Sequence, residues 1–185
     1  MRYFLGFLIA IGLLALVIIL VVKGLSGNNS TAIQTKPLSS YANTDAVAGL
    51  VIDGPIVADQ NYQQVQIYIS QTYSQINIIN GYQGAIVNTQ TFENNPSAYS
   101  AFLSALQEFG FGEITANFKY KTPAGFCSFG DSYSYSLVNG GNNIINSWAT
   151  SCGGEGNFKG IVSNVNQLFI SQIPTYQKIT ANTSL

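Results

Sequence analysis

The chain has 185 residues, room for one domain with an anchor and a connecting segment. Only 8% of them are charged and the net charge is −1, so no cluster of Lys and Arg exists to displace counterions, and nucleic acid is set aside as a partner. With no histidine and only two cysteines, the commonest general base and the usual tetrahedral zinc ligand set are both missing, and no cofactor or metal is expected.

Residues 3–22 read YFLGFLIAIGLLALVIILVV, twenty residues without a charge, framed by Arg2 and Lys23. A helix of that length covers about 30 Å and spans a bilayer core. Residues 1–23 are therefore expected to be an uncleaved transmembrane anchor. The rival is a cleaved signal peptide, which would have a shorter apolar run of about 7–15 residues and a small-x-small site. Gly24-Leu25-Ser26 is a poor match to such a site. A prepilin reading of Gly6-Phe7 would require an acidic residue where Ile11 stands. Arg2 on one side and Lys23 with Lys36 on the other nearly balance the positive-inside bias. The low-charge composition and the cysteines favour a C-terminal domain outside the cytoplasm.

Residues 24–45, GLSGNNSTAIQTKPLSSYANTD, lack hydrophobic periodicity and read as a flexible tether. The domain is expected over residues 46–178, with a short tail at 179–185. AGLVIDGPIVAD opens it as an apolar run broken at Gly54-Pro55. QVQIYIS and SQINIIN alternate around a short turn at Thr72-Tyr73 and predict a hairpin. AIVNTQTF, after Gly81 and Gly84, predicts a third strand.

Asn95 suits a helix N-cap and Pro96 the first helical position. Tyr99, Phe102, Leu103 and Leu106 then form one apolar stripe, and Gly110 suits the position just past the end. EITANFKYK predicts a strand with Ile114, Ala116, Phe118 and Tyr120 on one face. DSYSYSLV and NNIINSWA flank Asn139-Gly140-Gly141-Asn142, a hairpin signal. A turn centred on Gly140-Gly141 would pair Leu137 with Ile144 and Tyr133 with Trp148, leaving Ser132, Ser134, Ser136 and Ser147 on the wet face. Asn164 is expected to cap a short helix carrying Val165, Leu168 and Phe169, stopped before Pro174. Without βαβ alternation the fold class is α+β: an antiparallel sheet with one or two helices packed on one face.

Cys127 and Cys152 bracket the last hairpin, and a disulfide between them would close its open end. Free buried thiols and a reactive thiolate are the alternatives, the latter without a histidine to activate it.

The stretch GFCSFGDSYSYSLVNGGNNIINSWATSCGGEGNF, with PSAYSAFLSALQEFGF before it and LFISQIPTY after it, resembles uncharacterised single-pass membrane-anchored envelope proteins of bacteria with small genomes. The likeness spans most of residues 46–176. It implies an extracytoplasmic location and supports the cysteine pairing. The group has no established activity, so no catalytic residue is carried over.

Two classes of function remain. One is a binding or structural module of the envelope, its lipid contact through residues 3–22 and its partner a protein, peptide or glycan. Tyr62, Tyr68, Tyr73, Tyr82 and Trp148 offer flat contact area; Trp148 is expected in the core, and Tyr73 and Tyr82, both near turns, are the candidate contact residues together with the Gly-rich segment 153–160. An accessory subunit of an envelope assembly is a variant of the same reading. The other is a hydrolase using two carboxylates drawn from Asp45, Asp53, Asp59, Glu93, Glu108, Glu113, Asp131 and Glu155. No spacing marks a pair, and neither G-x-S-x-G nor S-x-x-K occurs. No catalytic residue is assigned. Sequons at Asn28, Asn29 and Asn182 matter only in a host that glycosylates.

Overall fold

A computed structural model describes residues 36–154 and 156–185. The expected anchor and most of the expected tether lie outside the described residues, as does Glu155. Among the described residues no helix is long and apolar enough to cross a membrane.

The fold is α+β. Six strands run β1 (Val47–Asp53), β2 (Gln63–Ile69), β3 (Tyr73–Asn80), β4 (Ala85–Glu93), β5 (Ser132–Asn139) and β6 (Asn142–Thr150). They form one sheet in the order β4-β3-β2-β1-β5-β6, and every neighbouring pair is antiparallel. β1 is central, with the β2–β4 meander on one side and the β5–β6 hairpin on the other. Helices α1 (Pro96–Glu108), α2 (Val162–Ser171) and α3 (Tyr176–Ile179) complete the unit.

Alternation of side chains sends Ala48, Leu50 and Ile52, then Val65, Ile67 and Ile69, then Ile76 and Ile78 to one face. Tyr135, Leu137 and Ile145 join them, all buried. Onto this face pack Tyr99, Phe102, Leu103 and Leu106 of α1 and Val165 and Phe169 of α2. Each large side chain so buried contributes about 1.5–3 kcal/mol. α1 begins as its sequence predicts: the Asn95 side chain accepts from Ala98 N, and Pro96 stands at the first position. It ends in a double hydrogen bond, Gly110 N to Gln107 O and Phe111 N to Leu106 O. Gly110 has φ 79°, and Phe111 folds back into the core.

The structure departs from four sequence expectations. The packed unit starts before Ala46: a 3-10 turn spans Leu38–Tyr41, Leu38 is buried in the core, and its N–H donates to Gln107 Oε1 at 2.7 Å. Residues 36–45 are thus not part of a free tether. At the other end, Ser184 N donates to the Gln63 side chain, so the expected tail folds against β2. EITANFKYK is not a strand; only Ile114 forms an isolated bridge, with Phe158, and Asn117 has φ 55°, which breaks an extended run. α2 starts at Val162, two residues before its expected cap.

The hairpin register also differs by one residue. An irregularity between Leu137 and Val138 pairs Leu137 with Ile145, Tyr133 with Ala149 and Ser134 with Trp148. A one-residue slip exchanges faces. Trp148 therefore leaves the helix-covered side, and Ser147 enters it at 1% exposure, its hydroxyl without a hydrogen-bond partner.

Candidate functional site

Among the described residues no helix lies over the other face of the sheet. β2 contributes Gln64, Gln66 and Tyr68, β3 contributes Tyr73, Gln75 and Asn77, and β4 contributes Thr89 and Thr91, by strand parity and pairing. Their polar groups are joined in sequence. Tyr68 Oη donates to Gln66 Oε1 at 3.2 Å, Gln66 Nε2 to Gln64 Oε1 at 2.6 Å, and Gln64 Nε2 to Asp53 Oδ1 at 2.5 Å. Asp53, when ionised, only accepts, so it fixes the orientation of each amide behind it. A shorter array on β3 ends on Asn77 Oδ1, which accepts from Gln75 Nε2 at 2.9 Å and Thr89 Oγ1 at 3.0 Å.

Tyr68 lies flat because its neighbour on β1 is Gly49. A Cβ built there would stand 3.2 Å from the Tyr68 ring and 2.5 Å from Ser136 Oγ. Burial, and then Tyr73 nearby, push the Tyr68 phenol above its ordinary value.

The array ends at a groove of about 290 Å³ lined by Asp53, Tyr62, Tyr82, Phe126 and Ser132 among others. Tyr62 Oη donates to Asp53 Oδ1 at 2.5 Å. Burial first, and the hydrogen bond to Asp53 second, drive the Tyr62 phenol well above its ordinary value. Its ring stacks on that of Tyr82, centroids 4.1 Å apart. Tyr82 Oη donates to Val57 O at 2.8 Å, and Tyr82 N donates to Asp59 Oδ1 at 2.7 Å. These bonds hold the β3–β4 turn against the 54–62 segment.

The far wall is the Thr122–Gly130 loop. Behind it, Phe118, Tyr120 and Phe126 enclose Trp148, with Phe126 at 5.2 Å and Phe118 at 5.9 Å from the indole. Trp148 Nε1 donates to Tyr120 O at 3.1 Å. Cys127 and Cys152 are bonded, which ties the wall to the end of β6. The register slip that moved Trp148 thus created a second small core under this wall. Exposed apolar groups stand in the lining, Ile56 at 60% and Tyr82 at 52%; Ile56 N donates to Ser128 O, and the next residue of the loop, Phe129, is 98% exposed.

Of the expected contact residues, Tyr82 lies at the groove, whereas Tyr73 sits at the opposite end of β3, about 25 Å away at ~3.3 Å per residue. Tyr73 is half-buried on the open face. The structure does not bring the two together. Sequence reasoning offered Tyr62 as one of several contact rings and Asp53 as one of eight carboxylates without joining them, and it missed Phe126. The signal that was available is Gly-Phe-Cys-Ser-Phe-Gly itself, two aromatics flanking a cysteine in a loop.

The carboxylates do not converge on the groove. Asp53 is the one lining it among the described residues. Asp131 accepts from Tyr133 Oη at 3.5 Å, and burial raises its carboxyl above the ordinary value. Tyr133 is packed against the helix-side core. A second depression, about 420 Å³ between residues 55–63 and 182–185, carries no charged side chain and no aromatic ring. Among the described residues no group of His, Cys, Asp and Glu is placed to hold a metal.

No protein-family model matches the chain, and no curated protein matches it.

Proposed function

We propose that this chain is a non-catalytic binding module of the cell envelope, anchored in the membrane through residues 3–22, with its domain outside the cytoplasm. The observation that carries the reading is the uncovered sheet face. A sheet face without a helix over it needs only to be wet. This one instead carries a directed hydrogen-bond array from Tyr68 through Gln66 and Gln64 to Asp53, ending at an aromatic groove. Oriented amides beside flat rings are groups that grip a ligand without transforming it. The disulfide between Cys127 and Cys152 suits an oxidising compartment.

The exposed Phe129 and Ile56 favour one variant of this reading, an accessory subunit that docks on another envelope protein. Apolar side chains clustered at one rim are characteristic of an interaction surface.

The test uses the full chain in detergent micelles with its tyrosines isotope-labelled. Solubilised envelope glycan and peptide fragments are added while the tyrosine resonances are followed. Tyr62, Tyr68 and Tyr82 are expected to shift, and Tyr99 and Tyr135 under the helices to stay. Shifts confined to the helix side, or cleavage of the added fragments, would sink the proposal. Orientation is checked separately: protease added to cells stripped of outer layers should digest the domain and spare a cytoplasmic control.

A further inference from the structure

We infer that the groove between Asp53 and the Thr122–Gly130 loop receives a lysine side chain presented within an apolar segment of a partner protein. The inference rests on the binding-module reading and names the chemistry of its partner.

The site is short of positive charge. Among the described residues no Lys or Arg lines the groove. Asp53 Oδ1 already accepts two bonds, but Oδ2 has only the Ser132 hydroxyl, at 3.5 Å. The tyrosine hydroxyls are committed inward, Tyr62 to Asp53 and Tyr82 to Val57 O. What these groups offer a ligand is lone pairs and ring faces. An ammonium has three donors and no acceptor, is drawn to a carboxylate and favours the face of an aromatic ring. A sugar hydroxyl would bring acceptors for which Asp53, Tyr62 and Tyr82 leave no donor, Thr122 and Ser132 being the other hydroxyls in the lining.

The rim narrows the source of that ammonium. Ile56 lines the groove and is 60% exposed, and the loop that forms the far wall carries the exposed Phe129; such groups ask for apolar area on the ligand around the charge. A free polyamine has little such area. An aminophospholipid headgroup carries a phosphate next to its ammonium, and among the described residues no cation lines the groove to receive it. A lysine flanked by apolar residues supplies an aliphatic stem for Tyr62 and Tyr82, a charge for Asp53 and neighbours for Ile56. A volume of about 290 Å³, at the low end for ligand pockets, suits one side chain.

The chain provides its own reporter. Its one tryptophan, Trp148, packs on Phe126, and Phe126 lines the groove. The experiment follows Trp148 fluorescence of the full chain in detergent during titration with acetyl-Leu-Lys-Leu-amide, with the same peptide acetylated on the lysine, and with n-butylammonium. Acetylation and Asp53→Asn should each weaken peptide binding about tenfold or more, the worth of a charge-assisted bond. Ile56→Ser should weaken the peptide several-fold more than n-butylammonium. Equal affinity for the acetylated peptide, or undiminished affinity in Asp53→Asn, overturns the inference. So does a response to phosphatidylethanolamine vesicles with none to the peptide. If thermal melting shows that Asp53→Asn does not fold, Tyr82→Leu takes its place, and the acetylation comparison on the unaltered chain decides in either case. Silence toward the peptide while glycan fragments still shift Tyr68 removes the lysine pocket and leaves the binding module standing. Silence toward every probe removes both.

Discussion

The two faces of the sheet are made by the same strands yet obey different rules. The helix-covered face is fixed by volume: Leu50, Ile67, Leu103 and Phe169 are fully buried, and any change of shape there opens a cavity. The open face is fixed by hydrogen bonds and by one flat ring, with Gln66 and Tyr68 half-buried and linked toward Asp53. A fold can thus hold one side of a sheet by volume and the other by oriented polar groups.

The contrast can be broken most strongly from the covered side. Phe169→Ala removes a ring packed against Phe102 and Phe111 and should cost about 3–5 kcal/mol in denaturant melts. Gln75→Ala on the open face should stay within about 0.5 kcal/mol. Equal costs would mean that the two faces are not distinct. High pH probes the same side. Tyr99 and Tyr135 are fully buried, and burial raises both phenols well above the ordinary value. The folded state therefore holds protons that the unfolded chain gives up. Their contribution is complete below the unfolded value of about 10 and is lost as pH rises beyond it. Tyrosinate absorbance from these residues should appear together with unfolding; its appearance in a still-folded chain would contradict this.

The wall of the groove comes next. Cys127 and Cys152 lie 25 residues apart, and Cys127→Ser should cost roughly 3–3.5 kcal/mol by loop-closure entropy. Mass spectrometry of the unreduced chain should find no free thiol. Two alkylated cysteines would mean that the bond is absent. Smaller still, Gly49→Val places side-chain atoms where Tyr68 and Ser136 stand and should cost about 1–3 kcal/mol, with Tyr68 displaced in its NMR spectrum. The smallest effect is a gain. Ser147 is buried with an unpartnered hydroxyl, so Ser147→Ala should be neutral or stabilise by up to about 1 kcal/mol. A clear loss of stability would reveal a hydrogen bond at that hydroxyl.

α1 was legible because its determinants are local. Asn95 reaches three residues to Ala98, and Gly110 and Phe111 close the other end on carbonyls three and five residues back. The alternating runs of β2 and β3 were legible for the same reason, since one strand's period does not depend on its partner. The run from Ile114 to Tyr120 misled because its aromatics serve a different partner. They cover Trp148, and a loop does that as well as a strand. Trp148 itself was misplaced by one irregular step beside Leu137, a shift no pattern of apolar residues reveals, because Ser147 and Trp148 are adjacent and either could face inward.

The sequence alone determined the α+β class, the capped helix, the alternating strands and the cysteine pair that brackets a hairpin, each set by neighbours within a turn or a short loop. Only the tertiary structure decided that Asp53, Tyr62, Tyr82 and Phe126 share one groove, that Tyr73 does not, and that Leu38 belongs to the core. Those meetings depend on strand order, on one register step and on a disulfide that pulls a distant loop over the sheet. Contacts of that kind are set by the packing of the whole chain, and no residue's own neighbourhood encodes them.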